Sequence, residues 1–156
     1  MHAKIFQLDT KPICPDCYID PDYFTDVFIR GCDYICDAVG NPVDRHIFTE
    51  AMVNTLHPIF ALEEETLVYQ GCNSFMEKWI EAIKEKAIHL NESNFFDETA
   101  RMARIIEETS ALSASKFYIE DWNEGAATPY ELIQFCQRKL KPGERLYIGS
   151  IIDYHY

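Results

Sequence analysis

Two cysteine pairs open the chain: Cys14-Pro15-Asp16-Cys17 and, after fourteen intervening residues, Cys32-Asp33-Tyr34-Ile35-Cys36. Four thiolates so spaced could close a tetrahedral zinc site, and a proline knuckle suits the first pair. Three features weigh against it. Zinc ribbons keep both pairs two residues apart with a glycine just beyond, whereas the second pair here spans three. An aspartate-rich setting disfavours thiolates. A chain of 156 residues also has core enough to fold without a metal. Unligated, partly buried thiols are the stronger reading, with no metal or other cofactor expected. A redox pair at Cys14 and Cys17 is weaker, because such motifs follow a strand and open a helix, and here Pro21 follows.

Acid is concentrated in the same stretch. Residues 1–75 carry four basic side chains against twelve acidic ones, within a net charge of −12. Asp16, Asp20, Asp22, Asp26, Asp33 and Asp37 are the candidate binding residues. Their spacing departs from the calcium-loop pattern of acids at alternate positions followed by glycine, so solvated aspartates are favoured over a cation site. Charge of this sign repels phosphate backbones and anionic membranes, which excludes ordinary nucleic-acid and lipid-surface binding and selects a basic partner, in the first instance a protein. The five histidines are scattered, and none pairs at i, i+4 with a second ligand. Cys72 stands in Gln70-Gly71-Cys72-Asn73-Ser74, where a helix N-terminus could activate a thiol, although a turn with a small buried residue is the commoner reading. Glu63-Glu64-Glu65 reads as a solvated turn, and no glycine-rich phosphate loop is present in the sequence.

The expected function is therefore non-enzymatic: a small acidic binding or regulatory module that recognises a basic partner. One specific form is an inhibitor of a nucleic-acid enzyme, with carboxylates standing in for phosphates. The rival class is a metal- or thiol-dependent activity centred on Cys14, Cys17, Cys32 and Cys36. The segment Tyr118-Ile119-Glu120-Asp121-Trp122-Asn123-Glu124-Gly125 resembles the Tyr-Asn-Glu-Gly element of acidic antirestriction proteins that mimic DNA. It covers eight of 156 residues, has Trp122 where that family has tyrosine, and lacks the following Gly-x-Trp, so no residue role is carried over.

The elements that must position these groups fit a single α+β domain over residues 1–156, with a mixed sheet of four to six strands and four helices. Apolar residues make up 47% and aromatics 13%, ample for one ordered core. No apolar run reaches the length of a membrane span or signal peptide, so the expected compartment is the cytoplasm, where cysteines stay reduced. Strands are expected at residues 3–8, 23–29, 66–70, 116–120 and 146–152, with a turn-rich connection over 11–21. Residues 33–39 fit either a helical turn or a strand. Asn41-Pro42-Val43-Asp44 should open a helix with Ile47, Phe48, Ala51, Met52 and Leu56 inward, ending by Pro58. Ser74 with Glu77, Asn94 with Asp97 and Thr128 with Glu131 read as capping boxes for three more helices. The first two of these, with stripes at Met76, Trp79, Ile80, Ile83, Ala87 and Leu90 and at Phe95, Thr99, Met102, Ala103 and Ile106, should form an αα-hairpin. The last stretch reads β-α-β, a right-handed crossover if its strands are parallel.

Overall fold

The near-continuously apolar C-terminal run forms one long strand, β6 (Arg145–His155), and the fold is assembled around it. The structure, a computed structural model, describes residues 1–24, 32–108, 115–120, 122 and 125–156, with the backbone alone for 106–108. Strand β1 (His2–Asp9) runs antiparallel to β6, from His2 opposite His155 to Asp9 opposite Tyr147. Along the far edge of β6, β2 (Tyr34–Ala38) pairs with residues 152–155 and β4 (Thr66–Tyr69) with residues 145–147. Strand β3 (Phe60–Glu63) completes a hairpin with β4, and β5 (Lys116–Ile119) lies parallel to β1. The result is a six-stranded mixed sheet of order β3-β4-β6-β1-β5, with β2 beside β6.

The undecided segment 33–39 is thus a strand. Residues 25–29 of the expected strand 23–29 lie outside the described residues, and Tyr23 closes a 3-10 turn. The β3–β4 hairpin was not anticipated at β3, because its turn is Glu64-Glu65, with Glu64 in the left-handed region at φ 56° instead of the usual glycine or asparagine. The β-α-β succession is present, but β5 and β6 lie antiparallel with β1 between them, so the crossover condition is not met.

Helices α1 (Pro42–Thr55), α2 (Asn73–Ile88), α3 (Phe95–Glu108) and α4 (Pro129–Lys139) include the best-signalled caps. Asn41 accepts from Val43 N–H, and Thr128 with Glu131 forms the full capping box. Two other caps differ. Cys72 occupies the N-cap of α2, one turn residue after Gly71 at φ 101°, which leaves Ser74 inside the helix with no box to Glu77. The Asn94 side chain bonds back to Asn91 and His89, closing the link to α2 instead of capping with Asp97. In α1 the buried face is Thr49, Met52 and Val53, while Ile47 and Ala51 are exposed. Helices α2 and α3, joined by the link at 89–94, contact one another. Trp79 is buried against Phe75 and Tyr130, whereas Ile80 and Phe95 are exposed, and the side chain of Ile106 lies outside the described set. None of the helices in the described residues is long and apolar enough to cross a membrane.

The two faces of the sheet are covered differently. Phe6, Leu8, Phe117, Leu146 and Ile151 pack with residues of α1, α2 and α4 in the main core, where each fully buried side chain contributes about 1.5–3 kcal/mol. Ala3, Ile5, Ile152 and Tyr154 face the opposite way, under Phe24 and Ile19 of the N-terminal loop.

Candidate functional site

The N-terminal loop is held on the sheet by one buried side chain. Between Phe6 and Leu8 the β1–β6 register slips, so that Gln7 faces both Gly149 and Ser150. Gln7 Oε1 accepts from Ser150 N–H at 2.9 Å and from Ile19 N–H at 3.1 Å, and its Nε2 donates to the Cys17 carbonyl at 3.0 Å. On the helix side Arg45 Nη2 donates to the Gly149 carbonyl at 2.7 Å, so the irregularity is stitched from both faces.

That anchor presents the aspartates in two groups. Asp16 sits in the 3-10 turn Pro15–Cys17, exposed, and Asp20 caps the turn Pro21–Tyr23 by accepting from Asp22 N–H at 2.9 Å. Asp22, Asp33 and Asp37 instead line one hollow of about 610 Å³ between that second turn and β2, together with Phe24, Tyr34 and Cys36. Asp33 accepts from or pairs with His155 Nδ1 at 3.1 Å, and the His155 ring stacks on Tyr34 at 4.9 Å. Asp16, Asp20, Asp22 and Asp37 form no ion pair among the described residues. Asp26 lies outside the described residues.

The four cysteines of the two pairs do not converge. Cys14 and Cys17 are exposed at the ends of one 3-10 turn. Cys32 packs into the cluster with Phe24 and Tyr154 on the loop face. Cys36 lies where β2 carries one extra residue, since Ile35 faces Tyr154 and Ala38 faces Ile152. The bulge brings Cys36 close to Asp153, across from Cys32. Its thiol is pushed above its ordinary pKa, first by partial burial, then by the Asp153 carboxylate, with Lys4 opposing and Asp37 adding to the rise. Cys36 Sγ, a His2 ring nitrogen and an Asp153 carboxylate oxygen lie within 4.8 Å of one another, the one such metal-ligand trio among the described residues. Lys4 Nζ donates to Asp153 Oδ1 at 2.7 Å and lies 4.3 Å above the Phe48 ring, while His2 Nδ1 is 3.0 Å from Asp153 Oδ2.

Sequence reasoning had left His2 among scattered histidines and gave Asp153 no role. The available signal was weak: alternate residues His2 and Lys4, and Asp153 and His155, at opposite chain ends. It becomes readable only once β1 and β6 are known to be neighbours. Cys72, the other candidate thiol, is buried. It accepts a hydrogen bond from Tyr69 O–H at 3.3 Å and contacts Met76 Sδ at 3.5 Å, with no histidine or carboxylate bonded to it among the described residues. It is a core residue at a helix N-cap. Of the segment 118–125, Asp121, Asn123 and Glu124 lie outside the described residues.

The chain shows no significant similarity to any family model, curated protein or solved structure with which it was compared.

Proposed function

We propose that this protein is a non-enzymatic acidic binding module and that its partner is a basic segment of another protein, received along β2. The observation that carries the reading is the hollow of about 610 Å³ in which Asp22, Asp33 and Asp37 converge with no lysine or arginine among its described lining residues. Among the described residues β2 pairs only with β6, so its outer edge offers backbone donors and acceptors beside those carboxylates. An extended peptide uses such an edge for main-chain hydrogen bonds and places alternate side chains in adjoining pockets. Tyr34, half exposed at the rim of the hollow, supplies a face on which a guanidinium or ammonium stem packs. Complementary charge mainly accelerates encounter, and salt screens it within about 8 Å at physiological ionic strength.

The test is stopped-flow association with an arginine- and lysine-rich peptide, an acidic peptide serving as control. Raising salt from about 50 to about 500 mM should slow capture of the basic peptide by tenfold or more. Asp22→Asn with Asp33→Asn and Asp37→Asn should slow it comparably at low salt while leaving the unfolding transition in place. Asp16→Asn with Asp20→Asn, outside the hollow, should do distinctly less. Association indifferent to salt and to the triple substitution would show these acids to be only a solvated face.

A further inference from the structure

The geometry points to a zinc site formed by His2 Nδ1, Cys36 Sγ and Asp153 Oδ2, with a fourth coordination position open to water or to a group from a partner. The site is separate from the expectation for the two cysteine pairs, since it uses one of those thiols and recruits its other ligands from the first and last strands. Each of the three residues already offers a ligand atom within 4.8 Å of the other two, and His2 Nδ1 stands 3.0 Å from Asp153 Oδ2. Ligands at about 2.0–2.3 Å around a tetrahedral ion are separated by roughly 3.3–3.8 Å, so closure needs only small side-chain adjustments. The His2 side chain is 55% exposed, bonded to Asp153 and edge-on to the His155 ring at 5.3 Å, so its adjustment is made on the solvent side.

Three features make this more than three nearby side chains. The β2 bulge opposite Asp153 is what brings Cys36 toward β6, and bulges recur where a strand must re-aim a side chain. Lys4 occupies Asp153 Oδ1, which fixes the carboxylate and leaves Oδ2 as the oxygen facing His2, in the manner of a metal ligand held by an outer hydrogen bond. The donor set of one imidazole, one thiolate and one carboxylate selects zinc over calcium or magnesium, which take oxygen ligands. Binding forms a Zn–S bond as the Cys36 S–H proton leaves to solvent. The thiolate and carboxylate then balance the ion's two charges, with the His2 ring neutral and Lys4 outside the cage.

Cobalt(II) is the probe, added to the full chain after chelator treatment under reducing conditions. One equivalent should give a near-ultraviolet thiolate-to-cobalt charge-transfer band with tetrahedral visible bands, which zinc then abolishes. Cys36→Ser should remove the band, and His2→Ala or Asp153→Asn should weaken binding by tenfold or more. Cys14→Ser with Cys17→Ser should leave it unchanged. Circular dichroism of each variant establishes that the fold is retained, and Asp153→Asn keeps the side-chain shape should Cys36→Ser prove unstable. No charge-transfer band in excess cobalt would overturn the proposal. A band that survives Cys36→Ser and vanishes with the Cys14 and Cys17 substitutions would do so equally.

Discussion

Replacing Gln7 by leucine tests whether one buried amide holds the acidic loop on the sheet. Gln7 is 8% exposed, and its three hydrogen bonds all go to backbone. Leucine occupies a similar volume, so the loss is chiefly polar. Ser150 is itself 3% exposed, and its orphaned N–H bears the full desolvation penalty of about 1–3 kcal/mol. Ile19 is half-buried and recovers water in part, which adds about 0.5–1.5 kcal/mol. The exposed Cys17 carbonyl turns to solvent at little cost. The sum, about 2–4 kcal/mol, corresponds to a fall in Tm of about 5–15 °C for a domain of 156 residues. Urea unfolding should show a lower midpoint with an unchanged m value. Gly149 supplies an independent check, since a Cβ there would stand 2.4 Å from Gln7 Oε1. Gly149→Ala must therefore displace the same amide. Gln7→Ala removes that obstacle, so the double variant should fall short of the summed losses by about 1 kcal/mol or more. Strict additivity, or a Gln7→Leu change within about 0.5 kcal/mol of the parent, would refute the reasoning.

Two further expectations follow from the cores. Trp79→Ala should cost about 3–5 kcal/mol in denaturant unfolding. Trp79→Phe should cost much less, because the buried indole Nε1 has no hydrogen-bond partner among the described residues to lose. Cys136, Tyr69 and Tyr154 all have pKa values raised chiefly by burial, so the folded state binds protons that the unfolded state releases first. Stability present below pH 9, the ordinary thiol value, should decline as pH rises beyond it, and Cys136→Ala should flatten the first part of that decline. An unfolding free energy flat from pH 8 to about 11 would contradict this.

How much was readable depended on whether the signal was local. The Asn41-Pro42 and Thr128-Pro129-Tyr130-Glu131 starts act within one turn and were recovered at both helices. Ser74 failed as a cap because Gly71, at φ 101°, turns the chain early enough for Cys72 to take that position. Of the α1 stripe, Phe48, Met52 and Leu56 do pack inward while Ile47 and Ala51 are exposed, because the periodicity of α1 fits two overlapping faces and the sheet takes the one that adds Thr49 and Val53. The trio His2, Cys36 and Asp153 depends on two non-local facts, the pairing of chain ends and a one-residue slip in β2. The slip also explains why Cys32 and Cys36 part. Their spacing suggests a pair, yet Cys32 joins the loop-face cluster while Cys36 approaches the carboxylate that Lys4 holds.

The outward acidity of the first half is sharpened by where its cations go. Of its four basic residues, Lys4 is bonded to Asp153 and covers Phe48, and Arg45 is bonded to the Gly149 carbonyl with its guanidinium 5.5 Å from the Tyr18 ring. Both are drawn into structural contacts of the sheet and loop, Lys11 is exposed, and Arg30 lies outside the described residues. The aspartates of the loop therefore face solvent with little local compensation, a repulsive arrangement that would by itself loosen the segment. It stays in place because Gln7 bonds it at Cys17 and Ile19 and because Phe24 and Ile19 cap the loop-face cluster. Charge and anchorage are thus separable: neutralising Asp22, Asp33 and Asp37 alters the field along β2 but not the attachment, whereas Gln7→Leu loosens the attachment but not the charge. A partner that reads the field alone should respond to the first change, and one that needs the hollow's shape should respond to both.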